Sequence, residues 1–139
     1  MQVIKTNELP EHRKVEFHAG ISNRILLDSD SMGFSLTKTV IRPGERKFQH
    51  YKHHLEACYC VSGLAELTNA ETGQKYTITP DTTYVLDKND PHFFEAFKET
   101  VLICVFNPPL KGSEVHQADG SSILFTLRGP ISLKSPSII

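Results

Sequence analysis

The sequence predicts an all-β fold, a small jelly-roll or double-sheet barrel in a single domain, and three observations carry that reading. Short runs rich in β-branched and aromatic residues recur along the chain, and Gly, Pro, Asn and Asp punctuate them. No window sustains the 3.6-residue apolar period of an amphipathic helix. The chain has 139 residues, 39% of them hydrophobic and 22% charged, enough to build one core without disulfides or a structural metal and too few for two.

The expected strands are Val3–Lys5, Ser22–Leu27, Gly33–Ile41, Leu55–Ser62, Leu64–Thr68, Lys75–Thr79, Thr83–Leu86, His92–Ala96 and Val101–Asn107. Turn chemistry separates them at Arg42-Pro43-Gly44, Ser62-Gly63, Asn69 to Gly73, Thr79-Pro80-Asp81 and Asp87 to Pro91, connections short enough for antiparallel hairpins. Many short antiparallel strands leave a sandwich, a jelly roll or a barrel as ways to protect sheet edges, and a barrel with a lined interior is preferred. Alternation puts Ser35, Thr37 and Thr39 on one face of their strand and Phe34, Leu36 and Val40 on the other. That polar, uncharged face can line a cavity or meet solvent. After Asn107 the pattern breaks at Pro108-Pro109 into a loop, with a domain over residues 1–125 and a tail over 126–139.

Fifteen Lys and Arg against sixteen Asp and Glu give a formal net charge of -1, with no basic run to hold a phosphate backbone or a lipid surface. Nucleic acid and membrane partners are therefore not expected. The longest apolar run, Val101 to Phe106, is far below the ~20 residues of a membrane-spanning helix. Residues 1–11 show neither a basic leader nor an apolar segment. Cys58, Cys60 and Cys104 are odd in number, which fits reduced thiols and a cytoplasmic location. All three lie in apolar segments with nothing to depress their pKa, so they read as buried structural thiols and not as nucleophiles.

The densest group of ligand-type residues is His50-Tyr51-Lys52-His53-His54-Leu55-Glu56. A solvated polar loop would explain most of it. Glu56 is the exception: in phase with Cys58 and Cys60, its carboxylate would be costly to bury without a cation or metal. Taken alone, Tyr84 reads as a core aromatic, His92 as a turn residue and Arg24 as half of a surface ion pair. Glu114 and His116 read as a solvated loop, or as a proton-shuttling pair on one face if their segment is extended.

The spacing Gly44-x5-His50-x-Lys52-x3-Glu56-x6-Gly63 resembles the first motif of the cupin superfamily, with Lys52 where a second His is usual. An ammonium cannot coordinate a cation. Pro80 to His92 resembles the second motif more weakly, with Asp87 and Asn89 replacing Pro and Gly. Longer ordered blocks, Met32-Gly33-Phe34-Ser35, Tyr51 to Cys60, Tyr84 to His92 and Cys104 to His116 with Asp119-Gly120-Ser121, closely resemble one cupin family, the ectoine synthases.

That resemblance implies a cupin-type double-stranded β-helix and a homodimer. It implies a hydro-lyase closing N-γ-acetyl-L-2,4-diaminobutyrate into the cyclic amidine ectoine, a compatible solute. It places iron on Glu56, Tyr84 and His92, an O,O,N set that would also suit manganese or zinc. Substrate contacts fall on Ser22, Arg24, Thr39, Tyr51 and Phe106, with Glu114, His116 and Tyr51 as catalytic residues. Arg24 is expected to grip the substrate carboxylate with its guanidinium fork. Two departures adjoin the expected pocket: Gly20 stands where the family carries a Trp, and Glu45 to His50 replace a Thr-Glu-Thr type of segment. They leave open a related cyclase acting on another N-acylated diamino acid, or a metal-dependent cupin that binds such a molecule without turnover.

Overall fold

Alternation along two strands organises the molecule. In Leu55–Ser62 and Thr100–Asn107 nearly every second side chain is buried, as in sheets with one face on a core. The computed structural model describes residues 1–116 and, beyond them, 122–126 and 129–132. The strands are β1 (Lys14–Phe17), β2 (Gly20–Leu26), β3 (Ser35–Ile41), β4 (Lys47–Gln49), β5 (Leu55–Ser62), β6 (Ala65–Asn69) and β7 (Lys75–Ile78). They continue as β8 (Thr83–Leu86), β9 (His92–Ala96), β10 (Thr100–Asn107), β11 (Val115–His116), β12 (Ser122–Thr126) and β13 (Gly129–Ser132). Helical structure among the described residues is confined to single 3-10 turns at Thr6–Glu8, Glu11–Arg13 and Asp28–Asp30.

Six strands form one sheet in the order β1-β2-β3-β10-β5-β8, and four form a second in the order β4-β9-β6-β7. Every pairing is antiparallel. The inner faces meet in one core: Cys58, Cys60, Leu86, Leu102 and Cys104 from the larger sheet, Ala65, Leu67, Ile78, Phe94 and Ala96 from the smaller. Burial of a side chain such as Leu102, 2% exposed, stabilises the fold by about 2–3 kcal/mol. A bulge between Arg24 and Leu26 re-aims the β2 backbone beside Arg24.

Gly63, which closes the first motif, has φ of +109° and lies against Thr100, where a Cβ would strike the Thr100 side chain and backbone. The motif needs glycine there because β5 turns back under the start of β10.

The all-β, cupin-type reading holds, and Leu55–Ser62, Thr83–Leu86 and His92–Ala96 form strands with the expected bounds. Three expectations need correction. Val3–Lys5 forms no strand; its apolar residues are exposed and the chain passes into a 3-10 turn. The segments that form β1 and β4 carry no clear alternation, being a charge-rich KVEF and a three-residue KFQ, yet each pairs at an edge of its sheet. Beyond Asn107, where loop and tail were expected, β11, β12 and β13 pair in a third antiparallel sheet, and β12 crosses the 125/126 boundary.

Candidate active site

The polar face of β3 does line a cavity. Thr37 and Thr39 lie in the wall of a space of about 120 Å³ between the sheets. Register sets two rungs of this wall, because Ser22 is directly opposite Thr39 and Arg24 directly opposite Thr37. Tyr51, Glu56, Tyr84, Phe106 and Glu114 line the same cavity. Of the expected site residues, His92 is not in its wall, and the side chain of His116 lies outside the described residues; the backbone of His116 belongs to β11.

Arg24 is buried, and its fork is already engaged. Nη1 donates to the Gly112 carbonyl at 2.7 Å and Nη2 to the Glu114 carbonyl at 2.8 Å. The Glu114 carboxylate in turn accepts the backbone N–H groups of Lys111, at 2.9 Å, and Gly112, also at 2.9 Å. The Leu110 N–H donates to Ser35 Oγ at 3.0 Å and ties this loop to β3. The fork thus holds the 110–114 loop at the cavity, and its Nε has no partner. Thr37 Oγ1, opposite, also has none. Burial pulls the Arg24 pKa down, offset by the Glu114 and Tyr51 charges.

Acidic groups crowd the cavity near Glu56. Burial raises the Glu56 pKa to about 7, with a Cys58 hydrogen bond acting the other way. Burial also pushes Tyr51 and Tyr84 well up, and the charges of Glu56, Cys58 and Cys104 push both further. Cys58 and Cys104 are directly opposed on β5 and β10, with their sulfurs 3.3 Å apart. A Glu56 carboxylate oxygen and these two sulfurs lie within 4.8 Å of one another, so the site can hold a metal ion. Cys58 shares the Glu56 face of β5, as the alternation predicts, whereas the approach of Cys104 follows only from the β5–β10 register.

His92, on β9, approaches from the smaller sheet. Its Nδ1 lies 2.9 Å from the Asp90 carbonyl, and burial lowers its pKa, which favours the uncharged ring. Gln49, which lines the cavity, places its side-chain oxygen Oε1 3.2 Å from the His92 Nε2. The Tyr51 ring lies 6.5 Å from the His92 ring and 5.4 Å, edge-on, from Phe106. Gln49 and Thr37 were not singled out from sequence, although Thr37 lay on the polar face that was.

The ectoine synthase family model matches residues 1–125. An L-ectoine synthase from Marinomonas sp. is 52% identical over 100 residues, covering 72% of this chain and 78% of that protein. The crystal structure of ectoine synthase from P. lautus superposes with a TM-score of 0.80 at 35% identity, covering 99% of this chain and 96% of that one. The cupin domain of Schizosaccharomyces pombe Cnp3, at 13% identity and a TM-score of 0.55, over 68% of this chain and 64% of that one, shares the fold alone. With the motif residues gathered in and around one cavity, these matches establish that the chain belongs to the ectoine synthase family of cupin-fold proteins.

Proposed function

We propose that this cavity carries out the family's reaction, dehydrative ring closure of N-γ-acetyl-L-2,4-diaminobutyrate to ectoine, with residues 1–125 as the catalytic unit. The observation that carries the reading is the pairing, within one cavity, of two buried unpartnered polar atoms, Arg24 Nε and Thr37 Oγ1, with a buried acidic cluster at Glu56. The first suits a carboxylate and the second a cation.

In the reaction the neutral α-amine attacks the acetamide carbonyl carbon, a C–N bond forms, and the carbonyl oxygen leaves as water while C=N is completed. Arg24 Nε, with Thr37, Thr39 and Ser22 beside it, holds the substrate carboxylate and so presents the amine to the carbonyl. Tyr51 and Phe106, edge-on to each other in the cavity wall, cover the acetyl end and exclude water. Glu114 and His116 relay to the departing oxygen the two protons that nitrogen gives up, one as the C–N bond forms and one as C=N is completed, so that the oxygen leaves as water; such help is worth about 10²–10⁴-fold. The Lys111 and Gly112 N–H groups hold the Glu114 carboxylate in place and leave it acceptor capacity for that step.

The donor chemistry fits iron. Glu56 and Tyr84 offer oxygens that a cation would deprotonate, and His92 offers an imidazole nitrogen. We assign iron to these three, with Cys58 and Cys104 as the neighbouring thiol alternative. When bound, the ion supplies Lewis-acid polarisation of the carbonyl. Metal analysis of Glu56→Ala, His92→Ala and Cys58→Ala separates the sets. Loss of iron in the first two alone supports the O,O,N assignment, and loss in the first and third alone assigns the thiols instead.

The outer face of the larger sheet supports a homodimer. Leu36, Val105, Ala57 and Val85 form one apolar row across four strands, and Leu55, Tyr59 and Val61 are exposed on the same sheet. Light scattering should give the mass of two chains; the mass of one would contradict this. No helix among the described residues is long and apolar enough to cross a membrane, and three free cysteines fit a cytoplasmic home for the enzyme.

A further inference from the structure

Tyr51 belongs to no strand. It sits in the connection from β4 to β5, and its place in the cavity wall depends on how that connection is held. Two of the connection's carbonyls, those of Tyr51 and His54, accept hydrogen bonds from a single group, the Asn89 side-chain Nδ2, at 3.1 Å each. Both protons of one amide are thus spent on one loop. Asn89 stands in the separate turn between β8 and β9, three residues before His92, with φ of +52° in the left-handed region that Asn tolerates better than most side chains. The far end of the connection is pinned independently, since His54 Nδ1 donates to the Pro108 carbonyl at 2.8 Å.

We infer that Asn89 is a positioning residue for the reaction: its NH2 group, bridging the Tyr51 and His54 carbonyls, fixes the Tyr51 ring in the substrate cavity and ties that loop to the turn leading to His92. The inference rests on the reading of the cavity as the site of ring closure. It follows from donor count and backbone geometry together. A serine or threonine has one O–H and cannot serve two carbonyls, an aspartate has no donor when ionised, and glycine keeps the backbone but removes the amide.

Two variants isolate the amide. Asn89→Gly preserves the left-handed backbone, and Asn89→Asp preserves size while turning a donor into an acceptor facing two carbonyls. With iron-loaded enzyme, both should lower kcat/KM by about 10- to 100-fold, the scale expected when a positioned group shifts by about 1 Å, with Asn89→Asp the worse. In a Tyr51→Leu background, Asn89→Gly should cost nothing further, because the two changes act through the same ring. In carbon-13 tyrosine spectra, the resonance assigned by its loss in Tyr51→Leu should move in Asn89→Gly while that of Tyr84 stays. Losses that add in the double variant, or an unmoved Tyr51 resonance, would overturn the inference. If the wild type forms no ectoine, the functional reading fails by itself, and the spectra still decide whether Asn89 holds Tyr51.

Discussion

Arg24 and Thr37 face each other across β2 and β3, and each leaves one buried polar atom, Nε and Oγ1, without a hydrogen-bond partner. A buried hydroxyl left unpaired costs about 1–3 kcal/mol, so a fold that keeps one has a use for it. The use assigned here is the substrate carboxylate.

Thr37→Val removes the hydroxyl at nearly constant shape. Thermal stability should hold or rise slightly, since an unsatisfied group is lost, while KM should rise about tenfold, as when a hydrogen bond to a charged group is deleted. Calorimetric unfolding beside steady-state kinetics checks both, and an unchanged KM would remove Thr37 from the binding site.

Gly20 explains why the missing Trp is not a simple exchange. A Cβ at Gly20 would collide with the Val40 carbonyl oxygen and stand 3.0 Å from the Ile41 Cα. Gly20→Ala should destabilise the protein by about 2–4 kcal/mol through overpacking against backbone that cannot yield. A melting temperature within a degree or so of wild type would show that β2 and β3 sit farther apart here. Phe17, directly opposite Gly20 on β1, lines the cavity and provides an aromatic wall beside this position.

Glu56 makes the metal-free protein sensitive to pH in a definite direction. Its folded pKa, about 7, is above the ordinary 4.5, so between those values the folded chain keeps a proton that the unfolded chain has lost. Stability is therefore greatest below 4.5, falls as pH rises through 7, and is lower by about 3 kcal/mol above it. His18, His50 and His92, all lowered from 6.5 chiefly by burial, act oppositely until the unfolded histidines have lost their protons, above about pH 7.5. Because the histidines act equally in both proteins, melting should show metal-free wild type losing stability relative to Glu56→Gln as pH rises from about 5 to 8. An equal pH dependence in the variant would place the titration elsewhere.

Strands with strong alternation and clear turn residues were legible in the sequence. β5 ends just before Gly63, β8 lies between Asp81 and Asp87, and β9 begins after Pro91. β1 and β4 were not, because strands of four and three residues take their structure from a neighbour's open edge and not from their own pattern. Within the site, the polar face of β3 and the oddity of a mid-strand Glu56 could be read from spacing. The capture of the Arg24 fork by the Gly112 and Glu114 carbonyls could not, since it joins residues 88 and 90 positions apart. Nor could the double role of the Asn89 amide, which depends on where two loops meet.

The most direct test of the account is to incubate iron-loaded protein with N-γ-acetyl-L-2,4-diaminobutyrate and measure ectoine by chromatography, with calorimetric binding in parallel. Ectoine should accumulate with the wild type and fall to background with Glu56→Ala. Binding of the substrate without any ectoine would contradict it and make the chain a binding protein built on the same cavity.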